Sequence, residues 1–159
     1  MLQIALLLAF IVPAVLFLLA QQRTLQVISP VNREMSPGSI WLQLIPVFGM
    51  VWQFIVVIRI ARSISKEIAS RMGESILDHS QEENKEADGP QTYTIGLAYC
   101  ILTTLGVIIN YSTMHTSSYL ALFGSFFVLT GMVCWIVYWV RLVNTKNKLV
   151  GLSSVGIAK

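Results

Sequence analysis

Four long apolar stretches without a single charged residue limit what this chain can fold into. They are residues 2–20, 40–58, 94–110 and 119–140. Each is close to the roughly 20 residues that an α-helix needs to cross the hydrocarbon core of a bilayer, which is about 30 Å thick. The sequence therefore predicts an all-α, polytopic membrane protein with four transmembrane helices, in a single membrane domain that covers residues 1–159.

The composition favours the same class of protein. Hydrophobic residues make up 55% of the chain, charged residues only 12%, and the mean hydropathy is +0.68. In soluble domains about a quarter of the residues are charged. The net charge of +3 comes from basic residues beside the apolar stretches rather than on a polar face interleaved with aromatic residues. We therefore expect the lipid bilayer as the environment and no nucleic acid partner.

The first apolar stretch has a second interpretation, as a cleaved signal peptide with Leu18, Ala20 and Gln21 near the cleavage point. Signal peptides begin with a basic segment, whereas no Lys or Arg precedes this stretch. We expect an uncleaved transmembrane span.

The distribution of basic residues predicts the orientation, because short loops rich in Lys and Arg are retained in the cytoplasm. The loop 21–38 contains only Arg23 and Arg33, and the turn 111–118 contains none. The segment 59–91 and the tail after residue 140 contain the others: Arg59, Arg62, Lys66, Arg71, Lys85, Arg141, Lys146, Lys148 and Lys159. This asymmetry predicts that the amino and carboxyl termini are both cytoplasmic and that the loop 21–38 lies on the opposite side.

Within the second stretch, Pro46 and Gly49 lie less than one helical turn apart. Proline removes a backbone hydrogen bond, and such a pair usually kinks a membrane helix. Gln43 and Gln53 in the same stretch carry amides that need hydrogen-bond partners. The sequence leaves two interpretations open, bonds to a neighbouring span such as the first or the lining of a cavity.

An amphipathic cytoplasmic helix is predicted after the second span, over residues 59–78. Its apolar residues recur every fourth position, with polar and charged residues between them: Ile60, Ile64, Ile68, Met72 and Ile76. Arg59 and Arg62 near the membrane would meet anionic headgroups, and the apolar stripe would lie in the interface or dock on a partner or a second copy of the chain. The acidic residues 81–91 are predicted to be a solvated linker.

Small residues are expected to mark the contact between the third and fourth spans, because membrane helices associate where small side chains allow close approach. They are Gly96, Cys100 and Thr103 in the third span and Ala121, Gly124 and Gly131 in the fourth. Aromatic residues near the end of the fourth span, Trp135, Tyr138 and Trp139, are typical of a membrane interface.

We find no pattern of catalytic, cofactor-binding or metal-ligating residues. His79 and His115 are predicted to lie on opposite sides of the membrane, so they cannot share a haem or a metal. Cys100 and Cys134 lie in apolar stretches and are expected to be packing residues. No ionisable residue of the kind that marks proton or ion pathways lies within a predicted span. We expect a protein that is not an enzyme and has no cofactor.

Residues 36–63 carry a resemblance to a known group of proteins. Ser36-Pro37-Gly38, Trp41, Ile45-Pro46, Trp52 and the segment 58–63 resemble a motif in a family of small multi-span bacterial membrane proteins classed only as a domain of unknown function. In that family a Pro-Gly pair precedes a Trp-rich, Ile-Pro-containing span that ends in a basic helix. The resemblance implies a bacterial inner membrane and a multi-span helical fold, and it implies no activity.

Two functions remain as hypotheses. The first is a structural or accessory subunit of a larger membrane protein assembly, with a membrane-protein partner or its own homo-oligomer. The alternative is a small transporter or pore for an uncharged or weakly polar solute. A quinone or lipid headgroup near Arg59 and Arg62 is a third possibility. The candidate packing or interaction residues are Pro46, Gly49, Gln53, Arg59, Arg62, Gly96, Gly124 and Gly131.

Overall fold

A computed structural model describes residues 2–45, 47–76, 88–113 and 118–157, and the side chains of residues 9, 11–45, 47–71, 92–113 and 119–151. All regular secondary structure in these ranges is helical, which confirms the predicted all-α class. The elements are α1 (Leu2–Val27), a 3₁₀ helix (Pro37–Leu44), α2 (Phe48–Ile76), α3 (Asp88–Thr113) and α4 (Ser118–Ile157).

Three helices are long and apolar enough to cross a membrane. The qualifying parts are Phe48–Arg71, Thr92–Thr113 and Tyr119–Gly151. In α1 the apolar part with described side chains, Ile11–Val27, is shorter. The whole of α1 has 26 residues, which at 1.5 Å per residue is about 39 Å.

The helices α3 and α4 form an antiparallel hairpin with glycines at its contact. A methyl group on Gly131 would lie 2.7 Å from Cγ2 of Thr103, and one on Gly124 would lie 2.9 Å from the side-chain carbon of Asn110. Gly106, which the sequence analysis did not single out, meets Val128 in the same way at 2.7 Å. Small residues therefore allow the two backbones to approach closely along three levels of the hairpin.

An aromatic cluster joins α1 to this hairpin. The ring of Phe17 meets those of Tyr99, Trp135, Tyr138 and Trp139 edge-on, at centroid distances of 5.2 to 6.3 Å, and such edge-to-face pairs add stability beyond the area they bury. Tyr138, expected at a membrane interface, is fully buried. The interfacial interpretation is therefore wrong for Tyr138, because Phe17 of α1 covers it.

The second apolar stretch reverses direction instead of continuing as one helix. Ile45 has an extended backbone (φ −74°, ψ 117°), as favoured for a residue that precedes a proline, and Val47 has a left-handed φ of 64°. Pro46 lies outside the described residues. Beyond this turn Trp52 donates a 2.8 Å hydrogen bond to the backbone oxygen of Ser39, so α2 runs back along the 3₁₀ helix.

The two ends of this stretch consequently lie side by side. The backbone N–H of Glu34 donates a 2.9 Å hydrogen bond to Oγ of Ser63, and Lys66 forms a 2.8 Å ion pair with the Glu34 carboxylate. A crossing of about 30 Å between the loop 21–38 and the segment 59–91 would keep these groups apart. The predicted placement of that loop and that segment on opposite sides does not agree with these contacts.

The predicted amphipathic segment 59–78 continues α2 without a break as far as Ile76. Ile60 and Ile64 of its apolar stripe are fully buried in the core with residues of α1 and α4, including Leu25 and Leu142. The described part of the stripe therefore packs within the chain. Residues 77–87, with His79 and most of the predicted acidic linker 81–91, lie outside the described residues, and the rest of that linker belongs to α3.

Candidate functional site

The residues with distinctive chemistry form two groups. The first is the charged end, defined as residues 23–36, 59–71 and 141–149. The second is a cavity between α1, α3, α4 and the turn that precedes α2.

Glu67 organises the charged end. This side chain is 3% exposed, and its Oε2 accepts hydrogen bonds from the backbone N–H of Ser29 at 3.1 Å and from the side-chain amide of Asn32 at 2.8 Å. The other carboxylate oxygen binds two guanidinium nitrogens of Arg71, at 2.9 and 2.7 Å. A buried carboxylate needs this many donors, because leaving a charge unpaired away from water costs several kcal/mol.

Arg71 extends the network to α4. Its Nη1 donates a 2.9 Å hydrogen bond to the backbone oxygen of Leu149, so the Glu67–Arg71 pair ties the loop after α1, the second half of α2 and α4 together. Arg33 adds a 2.8 Å bond from Nη2 to the backbone oxygen of Ile28, at the end of α1. The charged end is therefore joined across three segments by hydrogen bonds.

All the charged side chains that the structure describes belong to this end. Helices rise 1.5 Å per residue, and each of these residues lies within about two helical turns of one of the contacts above. Two are acidic, Glu34 and Glu67, and both are paired. The basic ones are Arg23, Arg33, Arg59, Arg62, Lys66, Arg71, Arg141, Lys146 and Lys148. The surface of the charged end is therefore strongly basic.

The cavity has a volume of about 690 Å³. Its walls come from Pro13 and Phe17 of α1, Tyr99 and Thr103 of α3, and Trp135 of α4, among others. The remaining side is lined by the turn and the helix ends that flank it, with Gln43, Leu44, Ile45, Val47, Gly49, Met50 and Gln53. No lining residue is acidic or basic, so the cavity is apolar apart from a few neutral polar groups.

The sequence left two interpretations of the glutamine amides open, bonds to a neighbouring span and the lining of a cavity, and the structure shows both. Gln43 donates to Oε1 of Gln21 on α1 at 2.8 Å, and Gln53 donates to Thr104 at 3.3 Å while accepting from the Tyr99 hydroxyl at 3.1 Å. Both side chains also line the cavity. Bonds to neighbouring helices and lining of a cavity occur together.

The other candidate residues from the sequence fall in three places. Gly49 lies in the first turn of α2, where a Cβ would overlap the backbone oxygen of Gln43. Arg59 and Arg62 are exposed at the charged end. Gly96 lies between Val57 of α2 and Tyr138 of α4, whereas Gly124 and Gly131 lie in the α3–α4 contact.

The sequence analysis missed Glu67, Gln21 and Tyr99. The Glu67–Arg71 spacing of four residues is a helical ion-pair signal, but nothing in the sequence indicates that this pair is buried. Among the described residues no group of three or more His, Cys, Asp or Glu side chains could hold a metal ion. His115 lies outside the described part of the chain.

In comparisons with known proteins, the chain matches no family model, no curated protein and no solved structure. The resemblance of residues 36–63 to a bacterial membrane family stays a prediction.

Proposed function

We propose that this chain is an accessory subunit of a larger assembly in the cell inner membrane, has no catalytic activity of its own, and binds its partner through the charged end. The observation that supports this function is the basic surface around Glu67, whose segments are joined by hydrogen bonds. Arg59, Arg62 and Lys66 are exposed on it, on the same helix that the buried network fixes. A surface that is already ordered loses less conformational entropy when it binds a partner.

The transmembrane helices are less suited to carry that contact. Helices in lipid associate through small residues, and Gly106, Gly124 and Gly131 are used within the α3–α4 hairpin. The outer face of α4 carries large exposed side chains such as Phe126 and Leu129. Such a face suits lipid, so the proposed partner is an acidic surface at the charged end.

The arrangement in the membrane belongs to the same proposal. Loops rich in basic residues are retained in the cytoplasm, which supports a cytoplasmic charged end with the carboxyl-terminal half of α4. The contacts between residues 29–34 and 63–67 support three crossings, by α1, α3 and α4. The 3₁₀ helix and the first turns of α2 then form a re-entrant hairpin that enters and leaves on the cytoplasmic side. Residue 2 lies on the outer side in this arrangement, unlike the predicted cytoplasmic amino terminus.

The function is tested by extracting the tagged chain in native nanodiscs, identifying what co-purifies and weighing the intact particle. We expect a partner at stoichiometric yield that is lost with Arg59→Glu/Arg62→Glu and retained with Arg59→Lys/Arg62→Lys, which keeps the charge. A chain that is monomeric and alone in these discs contradicts the proposal. Equal recovery of the partner with both double variants contradicts the role of the charged end.

The cavity favours the alternative function, a small transporter or pore for an uncharged or weakly polar solute. A route through it would pass Gln53 and Tyr99. Under this alternative Gln53→Leu changes solute flux in a protein that still folds, whereas the accessory function predicts no flux at all. Uptake of a neutral solute into proteoliposomes distinguishes the two.

A further inference from the structure

We propose that the cavity is a binding site for one uncharged, lipid-soluble molecule whose polar end is a carbonyl or hydroxyl group, the chemistry that quinones and diacylglycerols share. This site is separate from the charged end and does not depend on the accessory function.

The cavity lies near the middle of the bilayer. The apolar part of α4, residues 119–140, is about 33 Å long at 1.5 Å per residue, which is close to the hydrocarbon thickness. Val128 and Met132, which line the cavity, lie close to the middle of that stretch. A molecule in the bilayer therefore reaches this depth without leaving the hydrocarbon.

Size and walls suit a small lipid-soluble molecule. Ligand sites in proteins usually measure about 300 to 1,000 Å³ and are mainly apolar with a few polar groups, and the volume of about 690 Å³ lies within that range. Phe17, Tyr99 and Trp135 provide aromatic surfaces. Leu44 and Val47 on the turn are exposed, so the site is open towards the surrounding lipid on that side.

The hydrogen bonds of the two glutamines define the polar end of the ligand. A glutamine amide has two N–H donors and one carbonyl acceptor. The side-chain nitrogen of Gln43 donates hydrogen bonds to Gln21 at 2.8 Å and to the backbone oxygen of Ile40 at 3.3 Å. Its carbonyl oxygen is left to accept a hydrogen bond from a ligand. The carbonyl oxygen of Gln53 accepts from Tyr99, and one of its N–H groups donates to Thr104. Its second N–H is left to donate to a ligand.

These remaining groups select an oxygen-bearing ligand. An unpaired polar atom in hydrocarbon costs free energy, and a plain acyl chain cannot bind to it. A carbonyl oxygen accepts from the remaining N–H of Gln53, and a hydroxyl also donates to Gln43. Because no lining residue is acidic or basic, the charge of an ion or a phospholipid phosphate would have no counter-charge there.

Native mass spectrometry of the purified full chain in mild detergent tests this site with three probes. Decylubiquinone and 1,2-dioctanoylglycerol represent the two neutral sources, and sodium decanoate carries a charged head on a comparable chain. We expect saturable binding of one neutral molecule per chain and at least tenfold weaker binding of decanoate. The neutral probe that binds more tightly identifies the source.

Three variants locate the binding. Ala14→Phe places a ring in the cavity and should abolish binding, whereas Val12→Phe, on the same helix but outside the cavity wall, should bind like the native chain. Gln53→Leu removes one hydrogen bond to the ligand, along with the bonds to Thr104 and Tyr99, and should weaken binding about tenfold. Thermal unfolding shows whether each variant is folded.

Three results would overturn the proposal. They are absence of one-to-one saturable binding of either neutral probe to the native chain, equal binding by folded Ala14→Phe and Val12→Phe, and decanoate binding as tight as that of the neutral probes. Failure of a partner to co-purify leaves this site unaffected, because the readout is the bound molecule itself.

Discussion

Glu67 on α2 accepts a 2.8 Å hydrogen bond from the side chain of Asn32, in the loop that follows α1. Residues 33–66 between them include the whole 3₁₀ helix, the turn and the first half of α2. This buried carboxylate therefore helps to close the hairpin, together with the contacts of Glu34 with Ser63 and Lys66.

The first prediction concerns this carboxylate. Glu67→Ala leaves the Arg71 guanidinium without its partner in a buried network, so the free energy of unfolding should fall by about 3 kcal/mol. Lys66→Ala is the matched control, because its ion pair with Glu34 is more than half exposed on the lysine side and exposed pairs contribute less than about 1 kcal/mol. Thermal unfolding in one detergent measures both. Equal effects of the two substitutions would show that Glu67 does not close the hairpin.

The second prediction concerns the turn before α2. Gly49→Ala places a methyl group against the backbone oxygen of Gln43, which cannot move aside as a flexible side chain could. We expect the free energy of unfolding to fall by about 2 kcal/mol. A methyl group at Gly151 on α4 would meet no atom within 4 Å. Gly151→Ala should therefore raise the free energy of unfolding by roughly 0.5 to 1 kcal/mol through better helix propensity. A neutral or stabilising Gly49→Ala contradicts the close approach.

The third prediction concerns the sides of the membrane. In a Cys100→Ala/Cys134→Ala background, single cysteines at Val31, which is 92% exposed, and at the exposed Arg62 should react with an impermeant maleimide from the same side. A cysteine at Tyr111, 82% exposed at the other end of α3, should react only from the opposite side. If the chain crossed the membrane four times in series, cysteines at Val31 and Tyr111 would instead react from the same side. Labelling of intact cells and of inverted vesicles distinguishes these outcomes.

The fourth prediction concerns the α3–α4 hairpin. Gly131→Ala brings a methyl group to 3.0 Å from the backbone nitrogen of Thr103, so the helices must separate, and we expect a loss of about 1 to 3 kcal/mol. Ser125→Ala on the exposed face of α4 should change stability by less than about 0.5 kcal/mol. The midpoint of thermal unfolding of the two variants gives the comparison. A loss no greater than that of Ser125→Ala means that the backbones are not in contact at Gly131.

The parts of the fold that could be predicted are those that a local pattern of residues in the sequence specifies. The helical class follows from long stretches without charge, and the small residues of α3 and α4 follow a helical spacing that the structure brings into the hairpin. The reversal at Ile45–Val47 could not be predicted, because the apolar run continues on both sides of it and a proline in a membrane helix usually kinks it. Contacts such as Glu67–Ser29 depend on that reversal, so neither the charged end nor the cavity could be located from residue order.

The position at which α2 begins has an electrostatic consequence. Its first turn, Phe48–Val51, starts beside the cavity, and Gly49 and Met50 line it. The amino-terminal end of a helix carries a partial positive charge equivalent to roughly half a proton, and an apolar surrounding weakens its field less than water does. The wall of the cavity therefore has a positive potential although no lining side chain is ionised. This partial charge favours a carbonyl oxygen of a neutral ligand, and it is smaller than the full counter-charge that a buried carboxylate needs.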